Sequence, residues 1–450
     1  MKKIILTLLA TLATLGLALA LLAPTLLGFS ITQLGSAVNV ATGMGAKLAC
    51  SGRYVSGFSE AQNLKDLASY SPANRLLDLR YEDNPKRVTA TLLGLGETSA
   101  SYRPGLGCTL DIGDTSALER IAFAPPAAND AEWPAGSNAP HIDSKLQQKL
   151  DGLVASDNAA GLQTRALAVV QNGKLVAESY AEGIGAQTPL LGWSMGKSLT
   201  SMMIGRLQAL QPEQPISQPL FPQWSDARAD ISLENLLQMS SGLDFDETYA
   251  PGSDATRMLF NAHSASGVAL QSPLKYNPGE HFSYSSGTTN LLARWVYEQL
   301  GSSPQASADF FQQQILAPLG MRNTVFEVDA SGVFVGSSYI YASARDWARL
   351  GLLMLNRGNW NGEQLLAESW VDAAQRPNHS SNDPRYGYQF WLNGGGDQLR
   401  FPELPQDSYF MLGNRQQVVM ISPSTNTVIV RLGWTAGDYP TGENFAQLLP

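Results

Sequence analysis

The alternation of apolar and polar positions predicts two β-hairpins, one near each end of a large domain. Residues 165–170 and 174–180 are apolar-rich segments on either side of an Asn-Gly dipeptide. That dipeptide suits the type I′ turn of a two-residue hairpin. Residues 417–422 and 427–432 form a second pair of such segments around a Pro-Ser-Thr-Asn turn. Both pairs are therefore predicted to be antiparallel strands.

The chain between the two hairpins is mostly helical in pattern, with long loops. Ahead of the first hairpin, residues 144–155 predict a helix that carries Leu146, Leu150 and Leu153 on one face. A doubly wound fold would alternate strand and helix throughout, and this chain does not. The pattern instead predicts an α+β fold, in which one antiparallel sheet is built from both ends of the domain and flanked by helices, with a helical subdomain.

Composition divides the chain into four zones. Residues 1–28 are a targeting segment, and residues 29–125 form a small N-terminal domain with a strand predicted at 87–93. Residues 126–140 are rich in Pro, Ala and Asn and predict a linker. Residues 141–450 form the large domain.

The first residues predict export. Lys2 and Lys3 precede an uncharged apolar run over residues 4–22, and the next charged residue is Lys47. A cleaved signal peptide would use the Ala-Leu-Ala sequence at 18–20. An uncleaved membrane anchor is the alternative, because the run approaches bilayer-spanning length. Either interpretation leaves the bulk of the chain exported, periplasmic or anchored to the inner membrane and facing the periplasm.

Charge and cysteine content narrow the function classes. The formal net charge of −9 and the lack of a long basic run argue against binding nucleic acid through its phosphates. The chain has two cysteines, Cys50 and Cys108. In an exported chain such a pair predicts a disulfide, and two buried free thiols are the alternative.

Ser194 and Lys197 are the strongest candidates for chemistry. They lie three residues apart, so at the start of a helix they share one face. A serine hydroxyl needs a base to take its proton, and a lysine whose pKa is lowered by desolvation can be that base. An exposed Ser and Lys on an ordinary helix are the alternative. Apolar residues continue the helical pattern at Leu199, Met202, Met203 and Leu207.

Four segments, in order, resemble the serine β-lactamase and penicillin-binding-protein-like superfamily. They are residues 193–198, 231–243, 278–287 and 341–351. Together they extend over about residues 145–450, and they look closest to the class C-like branch, which holds esterases and 6-aminohexanoate-dimer hydrolases. The resemblance implies an α/β sandwich of β-lactamase type, a serine hydrolase activity, and no metal or other cofactor.

The resemblance also implies roles for individual residues. Ser194 would attack a carbonyl and form an acyl-enzyme, while Lys197 and Tyr284 would act as general base and acid. The backbone N–H of Ser194 and one near Met411 or Leu412 would hold the oxyanion. Without the resemblance, Tyr284 would be interpreted as a core tyrosine.

Two departures from the family pattern bear on the substrate. The last active-site strand of β-lactamases carries a Lys-Thr-Gly or His-Thr-Gly triplet, and residues 408–417 contain neither. Arg415 supplies a charge there, but at a different offset. Ser286 replaces the Asn of the Tyr-x-Asn motif. These departures favour an ester or a linear amide over a β-lactam as the small-molecule substrate.

Residues 231–243 predict a short helix that Ser232 caps and Gly242 ends.

Further residues, in the loop after this helix and beyond it, are predicted to contact the substrate. Tyr249 follows in a loop, and in the aminohexanoate-hydrolase branch such a tyrosine closes on the substrate amide; a plain surface tyrosine is the alternative. The remaining predicted contacts are Ser286, Asn414 and Trp391, the last in an aromatic segment that is either pocket wall or ordinary core.

The same residues are compatible with other functions. Gly192-x-Ser194-x-Gly196 also fits the nucleophile elbow of α/β-hydrolases, but the preceding stretch contains Pro189 and is a poor core strand. A β-lactamase, a D-amino-acid peptidase and a non-catalytic penicillin-binding-like sensor are further alternatives. The four histidines show no ligand spacing, which argues against a catalytic metal.

Overall fold

The computed structural model describes residue 30 and residues 33–450. The predicted targeting segment over residues 1–28, including the apolar run at 4–22, lies outside the described residues. Within the described part, no helix has the length and apolar character that crossing a membrane requires.

The N-terminal part of the chain folds as two helices and an antiparallel sheet. Its helices and strands are α1 Leu34–Tyr54, α2 Glu60–Ala68, β1 Leu77–Asp83, β2 Lys86–Leu92, β3 Leu95–Arg103 and β4 Gly107–Leu110. The strands pair in sequence order, and β2 confirms the strand predicted at 87–93. A disulfide joins Cys50 on α1 to Cys108 on β4, with the two Cα atoms 6.0 Å apart, as the cysteine pair predicted.

The rest of the chain supplies the large domain. Its helices are α3 Ser144–Ala159, α4 Met195–Leu210, α5 Leu233–Leu237, α6 Asp254–Phe260, α7 Ala265–Leu270, α8 Ser286–Gln299, α9 Pro304–Phe311, α10 Ala317–Leu319, α11 Ala344–Leu355, α12 Glu368–Ala374 and α13 Thr441–Ala446. Its strands are β5 Thr164–Gln171, β6 Lys174–Tyr180, β7 Leu190–Leu191, β8 Thr324–Phe326, β9 Ile340–Ala342, β10 Asn359–Trp360, β11 Glu363–Gln364, β12 Trp391–Leu392, β13 Tyr409–Gly413, β14 Gln417–Ser422 and β15 Thr427–Gly433.

The central sheet is built from both ends of the domain. Its six strands run in the order β12-β13-β14-β15-β5-β6, and every neighbouring pair is antiparallel. Both predicted hairpins are confirmed as β5–β6 and β14–β15. The first turns through Asn172 and Gly173, whose φ angles of 52° and 77° are those that a type I′ turn requires.

Helices cover both faces of this sheet. On one face α3 and α13 pack through Leu150, Val154 and Phe445. On the other face α4 and α11 contribute to a larger core that continues into the N-terminal part. The strands therefore lie buried between two helical layers, which agrees with the predicted α+β fold.

The N-terminal part docks on the large domain through a buried ion pair. Lys47 on α1 pairs with Glu327, which follows β8, and both side chains are almost fully inaccessible. Glu327 also accepts hydrogen bonds at 2.7 Å from Ser51 Oγ and from the backbone N–H of Cys108. The N-terminal part thus shares polar contacts and a hydrophobic core with the large domain. The boundaries predicted at 125 and 141 stay a prediction.

One predicted helix boundary is wrong. Ser232 caps α5 as expected, in a capping box with Asn235, but α5 ends at Leu237 rather than at Gly242. Gly242 lies in the following loop at φ 77°, and a Cβ built there would stand 2.2 Å from the carbonyl oxygen of Tyr276. A glycine at position 242 therefore allows the close approach of two backbone segments and a left-handed backbone conformation.

Candidate active site

The backbone presents Ser194 at a sharp turn into α4. Gly192 donates to the Ile340 carbonyl at 2.8 Å, and a Cβ there would collide with the Trp347 ring. Trp193 then adopts a left-handed φ of 48°, which is unusual for a bulky residue. Ser194 is the N-cap of α4, yet its hydroxyl caps no backbone N–H within the described chain. The Ser194 Oγ is therefore available to contact another side chain.

That contact is Lys197. Its Nζ lies 3.1 Å from Ser194 Oγ, 2.9 Å from Ser286 Oγ and 3.2 Å from the carbonyl oxygen of Ser337. The lysine is 1% exposed. Burial lowers its pKa to about 8, against an opposing effect of the Glu247 carboxylate. A lysine in this environment is far closer to neutrality than one in water.

The surrounding partners fix where the lysine protons point. The Ser337 carbonyl can only accept, and Ser286 donates its hydroxyl proton to Glu247 at 2.5 Å, so its oxygen accepts from Lys197. When Lys197 is neutral, its two hydrogens serve these two acceptors. Its lone pair is then directed at the Ser194 hydroxyl, which is the geometry that a general base requires.

Glu247 is a site residue that sequence reasoning missed. Its carboxylate receives the Ser286 hydroxyl and, at 2.6 Å, the Ser286 backbone N–H. Burial raises its pKa, while the nearby Lys197 charge and the bonds from Ser286 oppose that rise. The residue lies two positions before Tyr249, so the loop singled out in the sequence did contain it. Only the tertiary contact with α8 distinguishes it from the neighbouring Asp246.

Ser286 connects Lys197 to Glu247, and its predicted contact with substrate stays a prediction. It is fully buried at the first turn of α8, and its hydroxyl is held between Lys197 and Glu247. The sequence predicted a substrate contact for this side chain. Its one hydroxyl proton is directed to Glu247, because the carboxylate is the stronger acceptor.

Tyr284 lies beside the same pair. The Lys197 Nζ is 4.8 Å from its ring centroid. Burial raises the pKa of Tyr284, and the neighbouring Ser194 hydroxyl opposes that rise. The phenol is therefore protonated at neutral pH. Its ring packs against Trp391 at 5.0 Å and edge-on against Tyr386 at 6.1 Å between centroids, so the predicted aromatic segment forms one wall beside it.

Tyr249 lies in the loop that carries Glu247. Its side chain is 44% exposed. Desolvation raises the pKa of its phenol, the Glu247 charge adds to that rise, and an interaction with Ser286 opposes it. Tyr249 therefore shares the electrostatic environment of Glu247 while part of its side chain borders solvent. Whether it closes on a substrate amide stays a prediction.

The edge of β13 runs alongside the nucleophile. A Cβ on Gly413 would stand 2.2 Å from the carbonyl oxygen of Gly192, two residues before Ser194. Within the described chain, β12 pairs with β13 only at Tyr409 and Phe410, so this edge has no strand partner from Met411 onward. The predicted oxyanion donors at Met411 or Leu412 and the contact predicted for Asn414, in the turn after β13, stay predictions.

Comparisons with known proteins identify the family of the chain. The profile of the Beta-lactamase family matches residues 146–445. The chain belongs to the Beta-lactamase family. Its relatives include the 6-aminohexanoate-dimer hydrolase of Paenarthrobacter ureafaciens, which is 26% identical over 377 residues, or 75% of this chain and 91% of the relative. The family assignment makes the protein a serine hydrolase.

Solved structures show the same fold. A Bacillus anthracis protein proposed to be a 6-aminohexanoate-dimer hydrolase has a TM-score of 0.57 at 20% identity, covering 74% of this chain and 91% of its own. A family VIII carboxylesterase has a TM-score of 0.54 at 12% identity, covering 68% and 98%. A penicillin-binding-protein homologue from Caulobacter crescentus has a TM-score of 0.53 at 15% identity, covering 69% and 98%.

The Beta-lactamase fold removes the α/β-hydrolase alternative. In a nucleophile elbow the serine follows a buried strand of a parallel sheet. Here it follows β7, a strand of two residues that pairs antiparallel with β9 in a separate small sheet. Gly192 and Gly196 instead allow close packing against Trp347 and the Gly336 carbonyl.

Proposed function

We propose that this serine hydrolase cleaves an ester or a linear amide through an acyl-enzyme on Ser194. The observation that carries the proposal is the contact of 3.1 Å between Lys197 Nζ and Ser194 Oγ. It combines a buried lysine, whose pKa is lowered to about 8, with two acceptors that direct its lone pair at the serine hydroxyl. No other base is needed to activate the nucleophile.

The proposed reaction has two halves. Lys197 takes the Ser194 proton as Oγ attacks the carbonyl carbon, and backbone N–H groups of Ser194 and the β13 edge stabilise the oxyanion. Tyr284, protonated at neutral pH, passes a proton to the leaving oxygen or nitrogen and is reprotonated from the Lys197 side. Water then attacks the acyl-enzyme with the same residues in reverse order.

Two observations support an ester or linear amide as the substrate class. β13 carries Met411-Leu412-Gly413 at the edge beside Ser194, without the Lys-Thr-Gly triplet of β-lactamases. The similar enzyme from Paenarthrobacter ureafaciens is a 6-aminohexanoate-dimer hydrolase, and the fold is shared with a carboxylesterase. A β-lactam or a D-amino-acid peptide is the alternative that a substrate comparison tests.

We also propose that the protein is exported. Lys2 and Lys3 followed by the apolar run over residues 4–22 support this proposal. The Cys50–Cys108 disulfide adds support, because disulfides persist in oxidising compartments. Fractionating cells that express the full chain and sequencing the N-terminus of the recovered protein tests export and cleavage together. Recovery in the cytoplasmic fraction would contradict the proposal.

A fluorophosphonate probe tests the nucleophile. We expect one covalent adduct per chain on the peptide that contains Ser194, because its hydroxyl contacts a buried lysine, whereas the hydroxyls of Ser286 and Ser51, which also contact buried lysines, donate to Glu247 and Glu327. Ser198 provides the matched control, since its hydroxyl donates to the Gln389 carbonyl at 2.6 Å, and S198A should label like the unmodified protein. Absence of labelling would favour the non-catalytic sensor.

A comparison of three substrates tests the substrate class. The values of kcat/KM for nitrophenyl butyrate, a linear 6-aminohexanoate dimer and nitrocefin, measured side by side, rank an ester, a linear amide and a β-lactam.

The pH dependence of kcat/KM tests the base. Lys197 must be neutral to accept a proton, so kcat/KM should rise with pH to a plateau, with a midpoint near 8, and fall about tenfold per pH unit well below it. E247Q should move the midpoint to lower pH, because the Glu247 charge favours the protonated lysine. D244N, which changes an exposed carboxylate paired with Lys275, is the control. A profile that is flat from pH 6 to 9 would exclude Lys197 as the base.

A further inference from the structure

Three polar groups next to the nucleophile are buried without a partner. They are the Tyr70 phenol, the Trp193 indole N–H and the Arg415 Nε, none of which has a hydrogen-bond partner among the described residues. Trp193 is 3% exposed and immediately precedes Ser194. A buried unpaired donor costs about 1–3 kcal/mol, so three of them in one place call for an explanation.

The three groups form one cluster. The Arg415 guanidinium carbon lies 3.8 Å from the Tyr70 ring centroid. The Tyr70 and Trp193 rings meet edge to face, with centroids 6.2 Å apart. Burial raises the pKa of Tyr70, and the nearby donors of Arg415 and Trp193 oppose that rise, so the phenol keeps its proton and is a donor at neutral pH. All three groups therefore offer N–H or O–H donors.

Other polar groups around the cluster have partners of their own. The neighbouring indole of Trp434 is satisfied, because its Nε1 donates to the Asp66 carbonyl and to Ser69 Oγ. The Asp66 carboxylate, which also influences Tyr70, is held through both oxygens by Arg165 at 2.6 Å. No carboxylate in the described part of the chain forms an ion pair with Arg415. Its positive charge is therefore available to a ligand.

The cluster also borders the reaction site. Arg415 lies in the turn two residues beyond Gly413, which packs against Gly192. Tyr70 is also close enough to Tyr249, in the loop that carries Glu247, to affect the pKa of that phenol. Tyr70 comes from the N-terminal part, so that part contacts the residue that precedes the nucleophile.

We propose that Arg415, Tyr70 and Trp193 form a subsite for a carboxylate carried by the ester or amide substrate. This inference rests on the proposed hydrolase function and names its substrate class. A guanidinium offers paired donors that match the two oxygens of a planar carboxylate, and the phenol and indole N–H add two more donors. Arg415 lies at a different position relative to the strand from the cation of the missing Lys-Thr-Gly triplet. Tyr70 comes from outside residues 146–445, which the family profile matches.

Paired substrates test the subsite through turnover. In one pair, 4-nitrophenyl hydrogen glutarate carries a carboxylate on the acyl group and 4-nitrophenyl pentanoate does not. In the other, 3-carboxyphenyl butyrate and phenyl butyrate differ on the leaving group. We expect kcat/KM to favour the carboxylate in one pair. R415Q should reduce that preference about tenfold or more, and Y70F about threefold, because each loses part of the donor set. R80Q, an exposed arginine on β1, is the matched control.

Direct binding separates the two proposals. Titration with pentanoate at constant ionic strength, followed by tryptophan fluorescence, should give a Kd at least tenfold lower for the unmodified protein than for R415Q, with pentanamide as the uncharged control. Equal values for both proteins would overturn the subsite even if esters are cleaved. Tight pentanoate binding without hydrolysis of any ester would instead support the subsite and contradict the proposed function. Thermal unfolding of each variant verifies that it is folded.

Discussion

Replacing Lys197 by methionine should lower kcat for ester hydrolysis by about 10³-fold, while the protein stays folded. A general base contributes about 10²–10⁴-fold, and methionine has a similar length without a proton-accepting nitrogen. The loss corresponds to about 4 kcal/mol of activation free energy. Methionine also suits the site physically, because Lys197 is buried and desolvation is the main cause of its lowered pKa.

Several measurements make this result specific. K275M removes an exposed lysine that pairs with Asp244 and should retain full activity. S194A should lose at least as much activity as K197M, and the double variant should lose little more, because residues that act as a unit are not additive. Fluorophosphonate labelling of K197M should slow in parallel with kcat. Retention of more than a tenth of the activity in K197M would assign proton abstraction to another group.

Replacing Lys47 by methionine should destabilise the protein by about 3–5 kcal/mol. The change leaves Glu327 buried without its cation, and breaking one partner of a buried ion pair typically has an effect of this size. Burial lowers the pKa of Lys47 and raises that of Glu327, so each group depends on the other to remain charged. Urea unfolding at neutral pH measures the difference.

A double variant distinguishes charge from packing. K47M combined with E327Q removes both charges and keeps a side-chain oxygen that accepts from Cys108 N–H and Ser51 Oγ. We expect it to be more stable than either single variant. R80Q, at an exposed pair with Glu82, should change stability by less than about 0.5 kcal/mol. If the double variant lost the sum of the two single losses, the pair would not be coupled.

The same pair has a consequence for activity. The Lys47 Nζ lies 4.0 Å from the Tyr339 ring centroid, and Tyr339 packs against Trp193 at 6.2 Å between centroids. The N-terminal part is therefore in contact with the residue that precedes the nucleophile. Weakening the pair should loosen the position of Trp193 as well as lower the free energy of unfolding.

Local patterns predicted much of the fold. The Asn-Gly hairpin, the strand pair around 417–432 and the start of α4 at Ser194 all depend on contacts within a few residues. The predicted end of α5 was five residues too far along the chain. Gly242 is there for a close approach to Tyr276, and local pattern does not reveal such a long-range contact. Helix ends that depend on contacts with distant backbone are therefore the hardest to predict from sequence.

The candidate site divides in the same way. Ser194 and Lys197 are three residues apart on one helix, so spacing alone placed them together, and the family resemblance added Tyr284. Glu247 and Tyr70 were missed, and so were the contacts of Ser286 with Lys197 and Glu247. Each of these depends on a loop or an N-terminal segment folding onto a distant helix.

By itself the sequence determined the nucleophile candidate, its neighbouring lysine, the two-ended antiparallel sheet and the pairing of the two cysteines. These follow from helical spacing, strand alternation, turn chemistry and residue counts, all of which are local or compositional. Only the tertiary structure decided that Ser286 and Glu247 orient Lys197, and that Tyr70 and Arg415 meet beside Trp193. Burial and the directions of hydrogen bonds arise from segments far apart in the chain, so they appear only once those segments are packed together.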